Sequence, residues 1–176
     1  MRELKQSLRR ELIALRRAMS AKEKLAADLD IFEQVKPYLN STSAVFTYAS
    51  TDIEVDTRQI IAYCLKLEIP VALPVSGERE LAFYYIKSID ELNKGRFNID
   101  EPPQTRPALS DKRSLCIVPA LCADGTGARL GYGKGYYDRF LSGFTGTSVI
   151  LCYKEFKREV PTEPHDIKAD LTIFNR

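Results

Sequence analysis

The residues best equipped for chemistry fall in one run, Arg129-Leu130-Gly131-Tyr132-Gly133-Lys134-Gly135-Tyr136-Tyr137-Asp138-Arg139-Phe140-Leu141. Glycine at every second position permits positive φ and leaves backbone N–H groups uncovered, which makes an anion cradle. Tyr136, Tyr137, Phe140 and Leu141 have helical spacing, so the loop is expected to run into a helix whose first N–H groups face the bound anion. Arg129 and Lys134 read as mobile cations within reach of it, and Asp138, about one turn into the helix, offers a hard oxygen. Together these suit a nucleotide with its magnesium. The run matches neither Gly-x-x-x-x-Gly-Lys-Ser/Thr nor Gly-x-Gly-x-x-Gly, and alternating glycines alone equally describe a plain strand-to-helix turn.

Other groups are scattered. Lys5 and Arg9 lie four apart on a predicted helix, one turn above another, where they could clamp a polyphosphate. Glu54 has no evident structural task and is able to accept two hydrogen bonds from an amino-heterocycle, although an exposed glutamate is the simpler reading. Asp56 is expected to cap the helix that follows it. Asp166 and Asp170 lie near the C-terminus, where one of them could join Asp138 as a magnesium ligand or both could merely solvate a loop. His165, the only histidine, divides between a hydrogen-bonded structural role and a proton or phosphate role. Tyr48, Tyr84, Tyr85 and Tyr137 read mainly as core or sheet residues, with Tyr132 and Tyr136 the ones to test as contacts.

The elements that must position these groups follow from periodicity. Leu4, Leu8, Leu12, Leu15 and Met19 form the apolar stripe of a basic first helix, for which a solvated or membrane-surface face is the competing reading. Ser20-Ala-Lys-Glu23 is a capping box opening a second helix that runs to Pro37. Strands are expected at 44–48, 71–75, 81–86, 115–118, 148–153 and 171–174, with a helix after Asp56, a short helix at 88–93 and an extended loop at 101–107. Helices alternating with buried strands imply an α/β layered sheet with its site at the carboxyl ends of the strands.

Composition sets the outer bounds. A chain of 176 residues with 44% apolar and 28% charged residues suits one domain spanning 1–176 and indicates neither disorder nor a membrane span. A net charge of +2 is too small to imply nucleic acid. The N-terminus lacks the apolar core of a secretory signal, so a cytoplasmic protein is expected. Cys64, Cys116, Cys122 and Cys152 read as buried reduced thiols, since no Cys-x-x-Cys pair accompanies them.

The glycine run, preceded by Val118-Pro119 and Asp124-x-x-Gly127, resembles the signature of the 5-formyltetrahydrofolate cyclo-ligases, also called 5,10-methenyltetrahydrofolate synthetases. Lys5-x-x-x-Arg9, Glu54-x-Asp-Thr57, Asp100-Glu-Pro102 and His165-Asp166 with Asp170 extend the resemblance over nearly the whole chain in the same order and spacing. It implies a three-layer α/β/α sandwich with a mostly parallel central sheet, and a magnesium- and ATP-dependent ligase of one-carbon metabolism. That enzyme would convert 5-formyltetrahydrofolate, possibly polyglutamylated, to 5,10-methenyltetrahydrofolate with release of ADP and phosphate, acting as a monomer. By the same resemblance Lys5, Arg9 and the loop Arg129, Leu130, Gly131, Tyr132, Gly133, Lys134, Gly135, Tyr136 and Tyr137 contact ATP. Glu54, Lys134, Gly135 and Tyr136 contact folate, Arg129 and Lys134 serve catalysis, and Asp138 and Asp166 hold Mg2+. The sequence departs from the family's usual pattern at Ala120, at Cys122-Ala123, at Lys134, where glycine is frequent, and at Asn98, where glycine often precedes the Glu-Pro pair.

The chemistry suits these residues. A formyl oxygen on N5 leaves poorly until it is phosphorylated, and phosphoryl transfer asks for alignment and charge neutralisation rather than a covalent nucleophile. Arg129→Ala is therefore expected to slow turnover with the fold intact. Two other readings stand beside this one: a sugar-phosphate isomerase or acyl-transfer relative whose glycine loop holds a substrate phosphate, and a non-catalytic nucleotide- or folate-binding module.

Overall fold

A computed structural model describes residues 1–176. Two helices come first, α1 (Arg2–Arg17) and α2 (Ala21–Leu39). The capping box between them is formed: Ser20 Oγ accepts the Glu23 N–H and the Glu23 carboxylate accepts the Ser20 N–H. A helix is expected to stop at Pro37, but α2 runs on to Leu39, where buried Val35 and Leu39 offset the one hydrogen bond a proline forfeits.

The sheet then builds from β1 (Val45–Phe46), α3 (Arg58–Lys66), the hairpin β2 (Val71–Ser76) and β3 (Leu81–Ile86), and a small ribbon, β4 (Asn93–Lys94) with β5 (Asp100–Glu101). β6 (Leu115–Val118) follows, then a second ribbon, β7 (Cys122–Ala123) with β8 (Arg129–Leu130), then α4 (Tyr136–Leu141), β9 (Thr147–Cys152) and β10 (Leu171–Phe174). The expected helix at 88–93 is only a 3-10 turn, Ile89–Glu91.

Six strands make one sheet in the order β10-β9-β6-β1-β2-β3, parallel except for β3 at its edge. β1 pairs with β2 only through Val45 and Phe46, so Pro74 of β2 meets no partner on that side and its missing N–H costs nothing there. The crossover β1-α3-β2 steps one way along the sheet and β6-α4-β9 steps the other. Because both crossovers are right-handed, α3 and α4 lie on opposite faces, which gives three layers. Packing agrees: Phe32 of α2 meets Tyr63 of α3 edge-on, while Phe140 of α4 packs on Phe46 and Phe83, and Phe144, just after α4, packs on Phe46.

Between β1 and β6 the chain therefore leaves the sheet towards opposite faces, opening a crevice at the carboxyl ends of the strands. The loops after these two strands carry Glu54 and the glycine run. No helix is long and apolar enough to cross a membrane.

Candidate functional site

α1 lies along this edge with an unexpected face inward. The predicted leucine stripe is buried only in part: Leu12 is buried and Leu8 and Met19 pack against the core, but Leu4 is 59% and Leu15 44% exposed, and Lys5 and Arg16 are buried beside Leu12. Lys5, Arg9, Leu12 and Arg16 stand at i, i+4, i+7 and i+11, one line along a helix. Their neighbours explain the buried cations, because this line crosses loop carbonyls and carboxylates rather than a sheet face. Lys5 Nζ binds Glu163 at 2.9 Å and Asp166 at 2.6 Å, Arg9 Nε donates to the Gly131 carbonyl at 2.8 Å, and Arg16 donates to the carbonyls of Ile53, Ala120 and Leu121. Lys5 uses two of its three donors and Arg9 one of its five.

The glycine run leaves β8 and enters α4 directly, as its spacing predicts. Gly133 has φ +90° and Gly135, at the helix N-cap, φ +66°, so two of the three alternating glycines use the positive φ they permit and Gly131 does not. A Cβ at Gly133 would stand 2.9 Å from the Arg9 guanidinium carbon, so the glycine also admits that side chain. None of the N–H groups of residues 131–135 donates to a protein acceptor. Lys134 is exposed, with its ammonium 5.7 Å from the Phe97 ring, and its carbonyl accepts from Arg139. The Tyr136 hydroxyl donates to the Gly77 carbonyl in the β2–β3 turn at 2.8 Å.

Arg129 is not the mobile cation its sequence suggests. Its side chain is 5% exposed and is held by the Ile167 carbonyl at 2.6 Å and by Asp138 Oδ1 at 2.9 Å. Asp138 Oδ1 also accepts the Ile167 N–H, which brings Asp138 and the segment carrying Asp166 together. Each carboxylate keeps one oxygen without a hydrogen bond, Oδ2 of Asp138 and Oδ1 of Asp166. Burial alone would raise the pKa of Asp166, but the Lys5 ammonium and the Glu163 N–H outweigh it and hold it low. Asp170 lies elsewhere, accepting from Ser148 N and Oγ at 2.7 Å each, which makes it structural. His165 is 74% exposed, with Nε2 3.7 Å from Asp166 and no hydrogen bond, so the hydrogen-bonded structural role read from sequence is absent.

Glu54 is buried, against the exposed alternative, and accepts the N–H and hydroxyl of Thr51 at 2.7 and 2.8 Å. Burial, then the nearby Glu54 charge, push the Tyr132 hydroxyl pKa up. Tyr132 as a whole stays 42% exposed, so this burial concerns its hydroxyl end alone. The Tyr137 hydroxyl is buried with no hydrogen-bond partner, and burial is the main cause that pushes its pKa well up; a polar group of a bound ligand would satisfy it. Asp56 does cap the start of α3, accepting the Arg58 N–H at 2.9 Å, although Thr57 is the boundary residue. The four cysteines are buried and unpaired, and burial pushes the thiols of Cys64 and Cys152 up to about 12.

Sequence reasoning missed Arg16, Glu163 and Phe97. Arg16 was detectable from its position on the Lys5–Arg9 line; Glu163 carries no local signal, because only the fold brings it to Lys5. Phe97 and Asn98 both adopt positive φ, 60° and 58°, a backbone conformation that favours glycine and that asparagine tolerates.

A model of the 5-formyltetrahydrofolate cyclo-ligase family matches residues 1–174. A 5-formyltetrahydrofolate cyclo-ligase of Mus musculus is 30% identical over 189 aligned positions, covering 97% of this chain and 93% of the mouse protein. One from Mycolicibacterium smegmatis is 39% identical over 72 residues, which is 39% of this chain and 37% of that protein. Among solved structures, 5,10-methenyltetrahydrofolate synthetase of Aquifex aeolicus superposes with a TM-score of 0.86 at 28% identity, covering 98% of this chain and 90% of that one. With that match running almost end to end over the elements that build the crevice, the chain belongs to the 5-formyltetrahydrofolate cyclo-ligase family.

Proposed function

We propose that residues 1–176 act as one domain that converts 5-formyltetrahydrofolate to 5,10-methenyltetrahydrofolate at the expense of ATP, releasing ADP and phosphate. The observation that carries this reading is the meeting, at one crevice, of the α1 cations, the uncovered loop amides and the buried Glu54 carboxylate. Family membership supplies the substrate class.

In this reading the open N–H groups of 131–135, the unused donors of Arg9 and exposed Lys134 receive the polyphosphate. Glu54 accepts hydrogen bonds from the pterin, with Tyr132 and Tyr136 lining the approach. The free oxygens of Asp138 and Asp166 are hard donors of the kind Mg2+ takes, and the ion would neutralise charge on the transferring phosphoryl group. Arg129 keeps Asp138 oriented while its charge faces the same region. The formyl oxygen attacks the γ-phosphorus and ADP leaves. N10 then attacks the activated formyl carbon and gives up its proton, the C–O bond breaks, and phosphate departs with its electron pair and takes up that proton, leaving the cationic methenyl bridge. Neither step needs a covalent nucleophile, consistent with four thiols that are all buried. The reading includes a cytoplasmic monomer that takes polyglutamylated substrate.

Following ADP release together with the near-ultraviolet absorbance of the product tests it. One ADP per methenyl product, strictly dependent on 5-formyltetrahydrofolate, is expected. Folate binding without turnover would overturn the reading in favour of a binding module.

A further inference from the structure

The backbone on either side of Glu54 is held at four consecutive residues by four side chains, each from a different element. Arg16 of α1 donates to the Ile53 carbonyl at 2.7 Å, and the Tyr153 hydroxyl after β9 lies 2.9 Å from the Glu54 carbonyl. The Tyr48 hydroxyl after β1 donates to the Val55 carbonyl at 3.3 Å, and Asp28 of α2 accepts the Asp56 N–H at 3.0 Å. Asp28 also takes the Tyr153 hydroxyl at 2.7 Å, so α2 and Tyr153 are joined beneath the loop.

Arg16 is the unusual member. It is 3% exposed, its polar contacts are backbone carbonyls and the Cys152 sulfur rather than a carboxylate, and its guanidinium lies on the rings of Tyr153 and Phe156 at 5.2 and 4.6 Å. Burying a cation without a hydrogen-bonded counter-charge is a poor way to anchor a helix that Leu12 already packs. What the planar fork does that an apolar side chain cannot is fix the separation of two loops, because it holds Ile53 from one and Ala120 and Leu121 from the other. These loops leave β1 and β6, the strands that flank the crevice.

Resting on the reading that Glu54 meets the pterin, we propose that Arg16, acting with Tyr153, is a positioning residue that presets the Glu54 carboxylate for the substrate heterocycle. Arg16 shares its helix face with Lys5 and Arg9, so α1 is the single rigid element that ties the folate side of the site to the nucleotide side.

The test compares Michaelis constants for both substrates in the full-length enzyme. Glu54→Gln comes first: if its KM for 5-formyltetrahydrofolate is unchanged, the pterin reading falls and the inference with it. If that KM rises, Arg16→Lys, which keeps the charge and loses the fork, is expected to raise the folate KM by about tenfold or more, as ångström-scale misplacement does. Its KM for MgATP should stay near the wild-type value. Leu12→Ala, a packing loss on the same face, should lower Tm without this split. If Arg16→Lys does not fold, Tyr153→Phe carries the same expectation. A folate KM unmoved in the folding variant, or a rise shared with MgATP or with Leu12→Ala, overturns the inference while the pterin reading stands.

Discussion

Two loops leave the same sheet edge and are built in opposite ways. Residues 53–56 are largely buried and each is tied by a side chain from elsewhere, while 132–134 are exposed and secured only at the margins, by Arg9 on Gly131 and Arg139 on Lys134. The difference teaches where preorganisation is placed. A carboxylate that must recognise a flat heterocycle is fixed before the ligand arrives, whereas amides that must follow a charge-bearing phosphate chain are left uncovered.

Hydrogen exchange offers the largest way to break this contrast. The Asp56 and Thr57 amides, which donate to Asp28 and Ser50 side chains, should exchange about a hundredfold more slowly than those of 132–134, and MgATP should protect the latter. Equal rates in the free enzyme would erase the distinction. Arg129→Ala, at the boundary of the two regimes, should slow turnover at least about tenfold, corresponding to about 1.4 kcal/mol of transition-state stabilisation. Unlike the expectation from sequence, it should also destabilise the fold by about 1–3 kcal/mol, because the Ile167 carbonyl and Asp138 lose a buried donor. Kinetics paired with thermal melts would show both, and an unchanged Tm would contradict the buried fork.

Gly133→Ala should raise the KM for MgATP severalfold, by forcing a left-handed Cβ against Arg9, and leave the folate KM alone. A smaller effect concerns pH. The pKa of Glu163 is lowered by its hydrogen bond to Lys5, and that of Asp166 is also lowered, because Lys5 and the Glu163 N–H outweigh burial. Burial alone would lower the pKa of Lys5, but its two carboxylate partners outweigh that and raise it. Depressed carboxylates stabilise the fold above their unfolded pKa, about 4, and lose this as pH falls through their folded values. Raised Lys5 stabilises below about 10.4 and loses this as pH rises through its folded value. The Tm gap between wild type and Lys5→Met should therefore be a few degrees near neutrality and close at both extremes; a gap independent of pH would remove the ion pairs from the account.

Local patterns carried far here. Alternating glycines followed by helical aromatics placed the loop and α4, Ser20 with Glu23 placed the start of α2, and continuous apolar runs placed β6 and β9. These signals concern neighbours in the chain, so they survive without knowledge of the fold. The inward face of α1 did so only in part, because hydrophobic periodicity finds Leu12 but not the cations that this helix turns towards carbonyls and carboxylates supplied by residues 37 to 161 positions away.

The sequence by itself determined an α/β sheet, a family and the residue types a phosphoryl-transfer site needs. Only the tertiary structure decided that Arg129 is a buried tie, that Asp170 belongs to Ser148 while Asp166 belongs to Lys5, and that Arg16 reaches the loop of Glu54. The physical reason is that a charge's role depends on which opposite charge or carbonyl lies within about 3 Å of it, and strand order, not spacing along the chain, brings such partners together.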